Sequence, residues 1–133
     1  MELVAEIEMM QAELASWRKD IHAHPELGFE EHRTADFVAA KLESFGVQVY
    51  RGIGKTGLVG VLREGNETRA IGLRADMDAL PIVEQNTFAH CSTHHGTMHA
   101  CGHDGHTVML LAAAKYLADT RQFQGQVNFI FQP

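Results

Sequence analysis

Segments with helical spacing alternate along this 133-residue chain with short strand-like segments, and this alternation restricts the fold more than any other feature. Apolar residues recur every three or four positions from Leu3 to Ile21, which predicts an amphipathic helix of about twenty residues. The helix is expected to end near His24, because Pro25 disfavours helical backbone in the residue before it. A second helix is predicted from about Glu30 to Phe45, with Gly46 at the C′ position.

Segments rich in β-branched and aromatic residues predict four strands, at 47–50, 57–62, 69–76 and 126–131. A strongly helical segment runs from His103 to about Ala118. The segment from Val83 to Gly102 has no clear period and is predicted to be a loop with one short strand at most. Helices and strands in this order predict an α/β sandwich whose sheet is at least partly parallel.

Charge and hydropathy exclude several classes of partner. The formal net charge is −6 and there is no basic run, which argues against nucleic acid as a partner. No apolar run reaches the roughly 18 residues of a membrane span, and the acidic amino terminus does not have the features of a secretory signal. A cytoplasmic protein without a membrane partner is therefore expected. In that compartment Cys91 and Cys101 are expected as free thiols or metal ligands, whereas an oxidising one would allow a disulfide.

A glycine-rich segment, GIGKTG at 52–57, matches the spacing of a dinucleotide-binding fingerprint. That fingerprint requires a helix to begin at the glycines, because the free amides of the helix bind the pyrophosphate. The residues that follow, LVGVLREGN, instead indicate a strand and a turn. We therefore interpret the segment as the connection of a hairpin.

Two acidic residues, Asp76 and Asp78, lie where the strand RAIGLRAD is predicted to end. Residues two apart on a strand face the same side, so both carboxylates can point toward one site. Ligand sites of α/β sheets form at strand ends. The alternative is that one or both acids cap a following turn or helix.

The stretch GTMHACGHDGHT at 96–107 holds three histidines, a cysteine and an aspartate. Cys101 and His103 flank one glycine, so in extended backbone both side chains point the same way, and both are ligand types that zinc and similar metals accept. A helix beginning near His103 favours a thiolate at Cys101. The alternative is a catalytic or merely buried cysteine among surface histidines. A metal would need at least two more ligands, and the chain has no HExxH or paired CxxC motif to provide them.

Five motifs together resemble the amino-terminal part of the M20 metallopeptidase family, in the branch of amidohydrolases that hydrolyse hippurate and other N-acyl amino acids. They are RKDIHAHPELGFEEHRTADF, GIGKTGLVGVL, GLRADMDALPI, MHACGHDGHTVMLLAAAKYL and GQVNFIFQP. The resemblance implies a zinc-peptidase-like three-layer α/β sandwich with a mixed sheet. It also implies that residues 1–133 form the amino-terminal part of a single catalytic domain, without the inserted dimerisation domain and the carboxyl-terminal half.

The resemblance further implies a site for two divalent ions, manganese, zinc, nickel or cobalt, with Cys101 and His103 as ligands. The general base would be a glutamate beyond Pro133, so no catalytic residue is assigned within the chain. Four residues are expected to support the ligands without binding metal themselves: Asp76, His99, Asp104 and His106. Asp76 receives no catalytic role, because Arg74 stands where other branches have a ligand histidine.

The activity implied is hydrolysis of the amide bond of N-acyl amino acids or small acylated conjugates, by a complete protein that can be a homo-oligomer. These 133 residues alone are expected to be inactive. The alternative is a non-catalytic remnant that binds metal or pairs with another chain.

Overall fold

The structure, a computed structural model, describes residues 4–133. The helices are α1 (Ala5–Met9), α2 (Gln11–Ala23), α3 (His32–Ser44) and α4 (His103–Thr120). The strands are β1 (Gln48–Ile53), β2 (Gly57–Glu64), β3 (Ala70–Asp76) and β4 (Gly125–Gln132). No helix within residues 4–133 combines the length and apolar character needed to cross a membrane.

The single amino-terminal helix predicted from the sequence is wrong in one respect, since the structure has two helices there. Met10 separates α1 from α2 with φ −87° and ψ −1°, a backbone conformation that interrupts the regular helix. The predicted end is confirmed, because α2 stops at Ala23 and His24 leaves the helical region with φ −126° and ψ 60°. Leu3, the first residue of the predicted periodicity, lies outside the described residues.

The hairpin interpretation of GIGKTG is confirmed. β1 and β2 pair in antiparallel register, with Arg51 opposite Leu58, and the turn between them is followed by a strand rather than a helix. Lys55 at the turn has φ 82°. The dinucleotide alternative therefore has no helix amino terminus at these glycines.

The sheet is mixed, in the order β1-β2-β4-β3, and this confirms the predicted α/β class. β4 pairs antiparallel with β2 and parallel with β3, so it lies between two strands that are consecutive in sequence. Helix α3 contacts β1 and β2, α4 contacts β3 and β4, and the two helices contact each other. Helices α3 and α4 thus lie against the sheet and form with it two layers of the expected sandwich.

A single apolar core fills the space between the sheet and these helices. Phe129 and Phe131 of β4 alternate with less buried residues and are at most 1% exposed. They pack with Leu42 of α3 and Leu111 of α4, each 0% exposed. This packing holds α4 against β3 and β4.

The predicted loop is also confirmed, since residues 77–102 contain no helix or strand. Isolated bridges join Leu27 to Ala79 and Leu80 to Met98. The segment leaves the end of β3 and returns to the start of α4. Residues at its two ends therefore lie at the same edge of the sheet.

Candidate metal centre

Helix α4 begins at His103 because Gly102 precedes it with φ 82°, a left-handed conformation that favours glycine. The Thr107 hydroxyl donates to the Asp76 carbonyl oxygen at 2.9 Å, which joins the first turns of α4 to the end of β3. The Met77 amide donates to the Gln132 carbonyl at 3.0 Å and keeps the ends of β3 and β4 together. The start of α4 and the ends of two parallel strands therefore meet at one place.

Three side chains at this place form a group that can hold a metal ion. Asp76, His103 and His106 each offer a ligand atom, and these atoms lie within 4.8 Å of one another. Asp76 Oδ1 is 2.7 Å from His106 Nδ1, and Asp76 Oδ2 is 3.4 Å from His103 Nε2. The two imidazole rings are stacked, with centroids 5.4 Å apart. One carboxylate thus connects two imidazoles that lie one turn apart on α4.

Asp78 orients the ring of His103. Its Oδ1 lies 2.8 Å from His103 Nδ1, and its backbone oxygen lies 2.9 Å from the same nitrogen. Both oxygens are acceptors, so Nδ1 is the nitrogen that donates to Asp78, and Nε2 is the nitrogen that faces Asp76. In metal-binding histidines, the ring nitrogen that does not bind the metal usually donates a hydrogen bond to a carboxylate or a backbone carbonyl.

Asp76 is held in its ionised form. Burial raises its pKa, but the hydrogen bond from His106, a backbone hydrogen bond and the nearby His103 and Arg74 outweigh burial and lower it. Arg74 Nη1 is 3.0 Å from Asp76 Oδ2. The carboxylate is therefore negatively charged near neutral pH.

Cys101, predicted as a ligand together with His103, is exposed and lies outside the group of three. Cys91 is partly buried, and both cysteines are free thiols. Asp76 and His106, predicted to support the ligands, instead lie in the group itself. The structure therefore brings together three of the six predicted site residues.

The other two supporting residues lie behind the start of α4. Asp104 is 3% exposed, and its carboxylate is bound by Arg18 and His22 of α2. His99 is 4% exposed, and neither ring nitrogen has a hydrogen-bond partner among the described residues. Burial lowers the pKa of His99 to about 4, so its ring is neutral at neutral pH.

The donor set suits a divalent transition metal. Imidazole nitrogen and carboxylate oxygen both bind zinc and its neighbours, and three protein ligands are the usual number in a catalytic zinc site. The orientation of His103 by Asp78 is a further feature of such sites. A site for two ions requires more ligands than the three grouped here.

Sequence reasoning missed Glu84, and it gave neither His22 nor Asp78 a specific role at the site. The two-residue spacing of Asp76 and Asp78 was the signal for Asp78. His22 and Glu84 left no local signal, because each meets its partner from more than 60 positions away.

Comparisons with known proteins agree with this geometry. Residues 72–133 match the model of peptidase family M20/M25/M40. The chain is 55% identical over 133 residues to hippurate hydrolase from Campylobacter jejuni and 45% identical over 127 residues to an N-acyl-L-amino acid amidohydrolase from Geobacillus stearothermophilus. These alignments cover 100% and 95% of this chain but 34% of each relative, so the chain spans about a third of their length.

A crystal structure gives the same result. The YXEP protein of Bacillus subtilis, a dinuclear metal-binding peptidase of the M20 family, superposes with a TM-score of 0.89 at 38% identity. The match covers 95% of this chain and 36% of that one. The motifs, the mixed sheet and these relatives agree: the chain is similar to proteins of the M20 peptidase family, and residues 72–133 match the model of that family.

Proposed function

We propose that this chain provides metal-binding residues of a metal-dependent amidohydrolase that cleaves N-acyl amino acids, with hippurate-like compounds as the substrate class, or small acylated conjugates. The observation that carries the proposal is the ring of His103, which is oriented by Asp78 and directs Nε2 toward Asp76. The names of the relatives support the substrate class.

The residues proposed to hold two divalent ions are Cys101 and His103, together with Asp76 and His106 at the same edge of the sheet. Manganese, zinc, nickel and cobalt are the candidate metals. When bound, such ions polarise an amide carbonyl and lower the pKa of a water molecule, so that hydroxide is available near neutral pH.

The chain's own residues prepare this site. Asp78 keeps the proton of His103 on Nδ1, which leaves Nε2 free as a donor to a cation. Asp76 contributes a negative charge, and Arg74 limits the repulsion between that charge and other acids in the site. Cys101 is exposed and lies two residues before His103, just before α4.

No group among the described residues is assigned as the general base. We propose a glutamate that follows residue 133 in a protein of the relatives' length. Residues after β4 leave the sheet at the edge where Asp76 lies, because β3 and β4 are parallel. We therefore expect residues 1–133 to bind metal but not to hydrolyse an acylated amino acid.

The proposal is tested by zinc titration of the 133-residue chain followed by calorimetry. We expect saturable binding that is lost in His103→Gln and retained in His24→Gln, a histidine just after α2 whose ring bonds to the Asp20 carbonyl. A protein of the relatives' length should hydrolyse hippurate when manganese or zinc is added. Metal binding without hydrolysis by that longer protein would instead favour the non-catalytic remnant.

The remaining parts of the proposal concern the setting of the enzyme. The partner is a small-molecule substrate, and a homo-oligomer of the longer protein and a cytoplasmic location stay predictions. Size-exclusion chromatography with light scattering measures the oligomeric state directly.

A further inference from the structure

Four charged side chains from three parts of the chain meet behind the start of α4, and we refer to them as the clamp: Arg18, His22, Glu84 and Asp104. His22 Nδ1 lies 2.8 Å from Asp104 Oδ2, and His22 Nε2 lies 3.0 Å from Glu84 Oε1. Arg18 Nη1 donates to Asp104 Oδ2 at 3.0 Å. One imidazole thus joins helix α2 to the loop 77–102 and to the first turn of α4.

The clamp is buried and its charges balance. The side chains of His22, Glu84 and Asp104 are 8%, 3% and 4% exposed, whereas Arg18 reaches the surface at 39%. An ionised carboxylate only accepts hydrogen bonds, so an imidazole between two carboxylates donates to both only when both of its nitrogens carry a proton. Two cations and two anions then give a net charge of zero, which a buried ionic network requires.

Glu84 also organises the loop around itself. Its Oε2 accepts from the Ser92 amide at 2.5 Å, and its Oε1 accepts from the Asn86 side chain at 2.9 Å. Burial raises the pKa of Glu84, but the bonds from Asn86, His22 and Ser92 outweigh burial and lower it to about 2. Glu84 is therefore an anion that fixes residues 84–92 against His22.

We propose that His22 is a positioning residue for the metal centre, which sets the place of His103 through Asp104 and the path of the loop through Glu84. Asp104 is the neighbour of His103 on α4, and Glu84 lies in the loop that connects Asp78 to Cys101. The inference rests on the proposed metal-binding function, but it concerns residues that bind no metal themselves.

Removal of the His22 charge should weaken metal binding at the group Asp76, His103 and His106. In His22→Gln, the two buried carboxylates keep one amide donor and Arg18, and the unbalanced negative charge drives Glu84 away from Asp104. Changes behind metal ligands typically reduce metal affinity by about 10- to 100-fold, and we expect a loss of about tenfold here because His22 acts through Asp104. Hydrogen exchange of amides in residues 84–101 should become faster as the loop detaches.

The experiment uses the whole chain and zinc alone as the probe. Zinc affinity is measured by calorimetry for the unchanged protein, His22→Gln and the matched control His24→Gln. His24 has the same side chain at the end of the same helix but bonds to the Asp20 carbonyl at 2.7 Å. Amide exchange of residues 84–101 is measured without metal. We expect weaker zinc binding and faster exchange in His22→Gln only.

A double variant separates charge balance from space filling. In His22→Gln with Glu84→Gln, one anion is removed and the amide still accepts from Ser92, so zinc affinity should recover in part. Additive losses in the double variant would overturn the inference, as would affinity and exchange of His22→Gln equal to those of His24→Gln.

The outcome for the inference is distinct from the outcome for the proposed function. If the unchanged protein binds no zinc, the proposed function fails and amide exchange alone decides the positioning role. Faster exchange of residues 84–101 in metal-free His22→Gln than in His24→Gln then supports the role, and equal exchange overturns it. If His22→Gln does not fold, Glu84→Gln alone replaces it, and unchanged zinc affinity with unchanged exchange in that variant would overturn the inference.

Discussion

Replacement of Asp78 by asparagine changes the support of His103 without removing any atom from the group Asp76, His103 and His106. Asp78 Oδ1 accepts from His103 Nδ1 at 2.8 Å, and the Asp78 backbone oxygen lies 2.9 Å from the same nitrogen. The variant keeps the backbone acceptor and a neutral side-chain oxygen. It loses the negative charge that faces His103 Nδ1.

The expected loss follows from these contacts. Substitutions of the groups behind metal-binding histidines reduce metal affinity by about 10- to 100-fold. Because the backbone acceptor of Asp78 remains, we expect a value near the lower limit, about tenfold, which equals about 1.4 kcal/mol of binding free energy. The side chain of Asp78 is 28% exposed, so a large effect on folding is not expected.

Calorimetric zinc titration of Asp78→Asn measures this loss, and Asp119→Asn is the matched control. Asp119 undergoes the same chemical change on α4, where it pairs with Lys115 at 2.8 Å and is 59% exposed. Zinc affinity of Asp78→Asn equal to that of Asp119→Asn would refute the argument that Asp78 prepares His103 for a metal.

Four further predictions concern stability. Gly105→Ala should raise the free energy of unfolding by about 0.5–1 kcal/mol, because its Cβ meets nothing within 4 Å and alanine favours helix; a lower value in urea denaturation would contradict this. Gly57→Ala should lower that free energy by about 1–3 kcal/mol, since its Cβ would lie 2.5 Å from the Ile53 carbonyl oxygen, and a neutral result would be inconsistent with the hairpin. Leu111→Ala should cost about 2–5 kcal/mol because Leu111 is 0% exposed, and a loss below 1 kcal/mol would place it outside the core. The pKa of Glu84 falls from 4.5 to about 2 on folding, so Glu84 stabilises the fold fully above about pH 5 and loses this contribution as pH falls through 2. The free energy of unfolding of Glu84→Gln should therefore depend less on pH in the acid range than that of the unchanged protein. Parallel pH dependences of the two proteins would argue against the ionic contacts of Glu84.

Elements with strong local signals could be predicted from the sequence. The alternation in β4, the propensity of α4 and the proline after α2 each determine structure within a few residues. The break at Met10 could not be predicted, because apolar spacing continues through it. The position of β4 between β2 and β3 was also hidden, since pairing partners far apart in sequence leave no local pattern.

The site shows the same division between local and distant information. The spacing of Asp76 and Asp78 indicated that both carboxylates face one place, and the structure brings them to different imidazoles, His106 and His103. The ligand pair of Cys101 and His103 was predicted from residue type and spacing as well as from the family resemblance, and it stays a prediction. The contacts of His22 could not be foreseen, because they join residues 62 and 82 positions apart.

An X-ray experiment tests the central claim most directly: crystals of this chain grown with zinc, measured above and below the zinc absorption edge. The account predicts an anomalous peak about 2.0–2.1 Å from His103 Nε2, the usual zinc–imidazole distance, at the edge where β3 ends. A zinc-saturated crystal without a peak at His103, or with its peak among the histidines of residues 90–95, would contradict it.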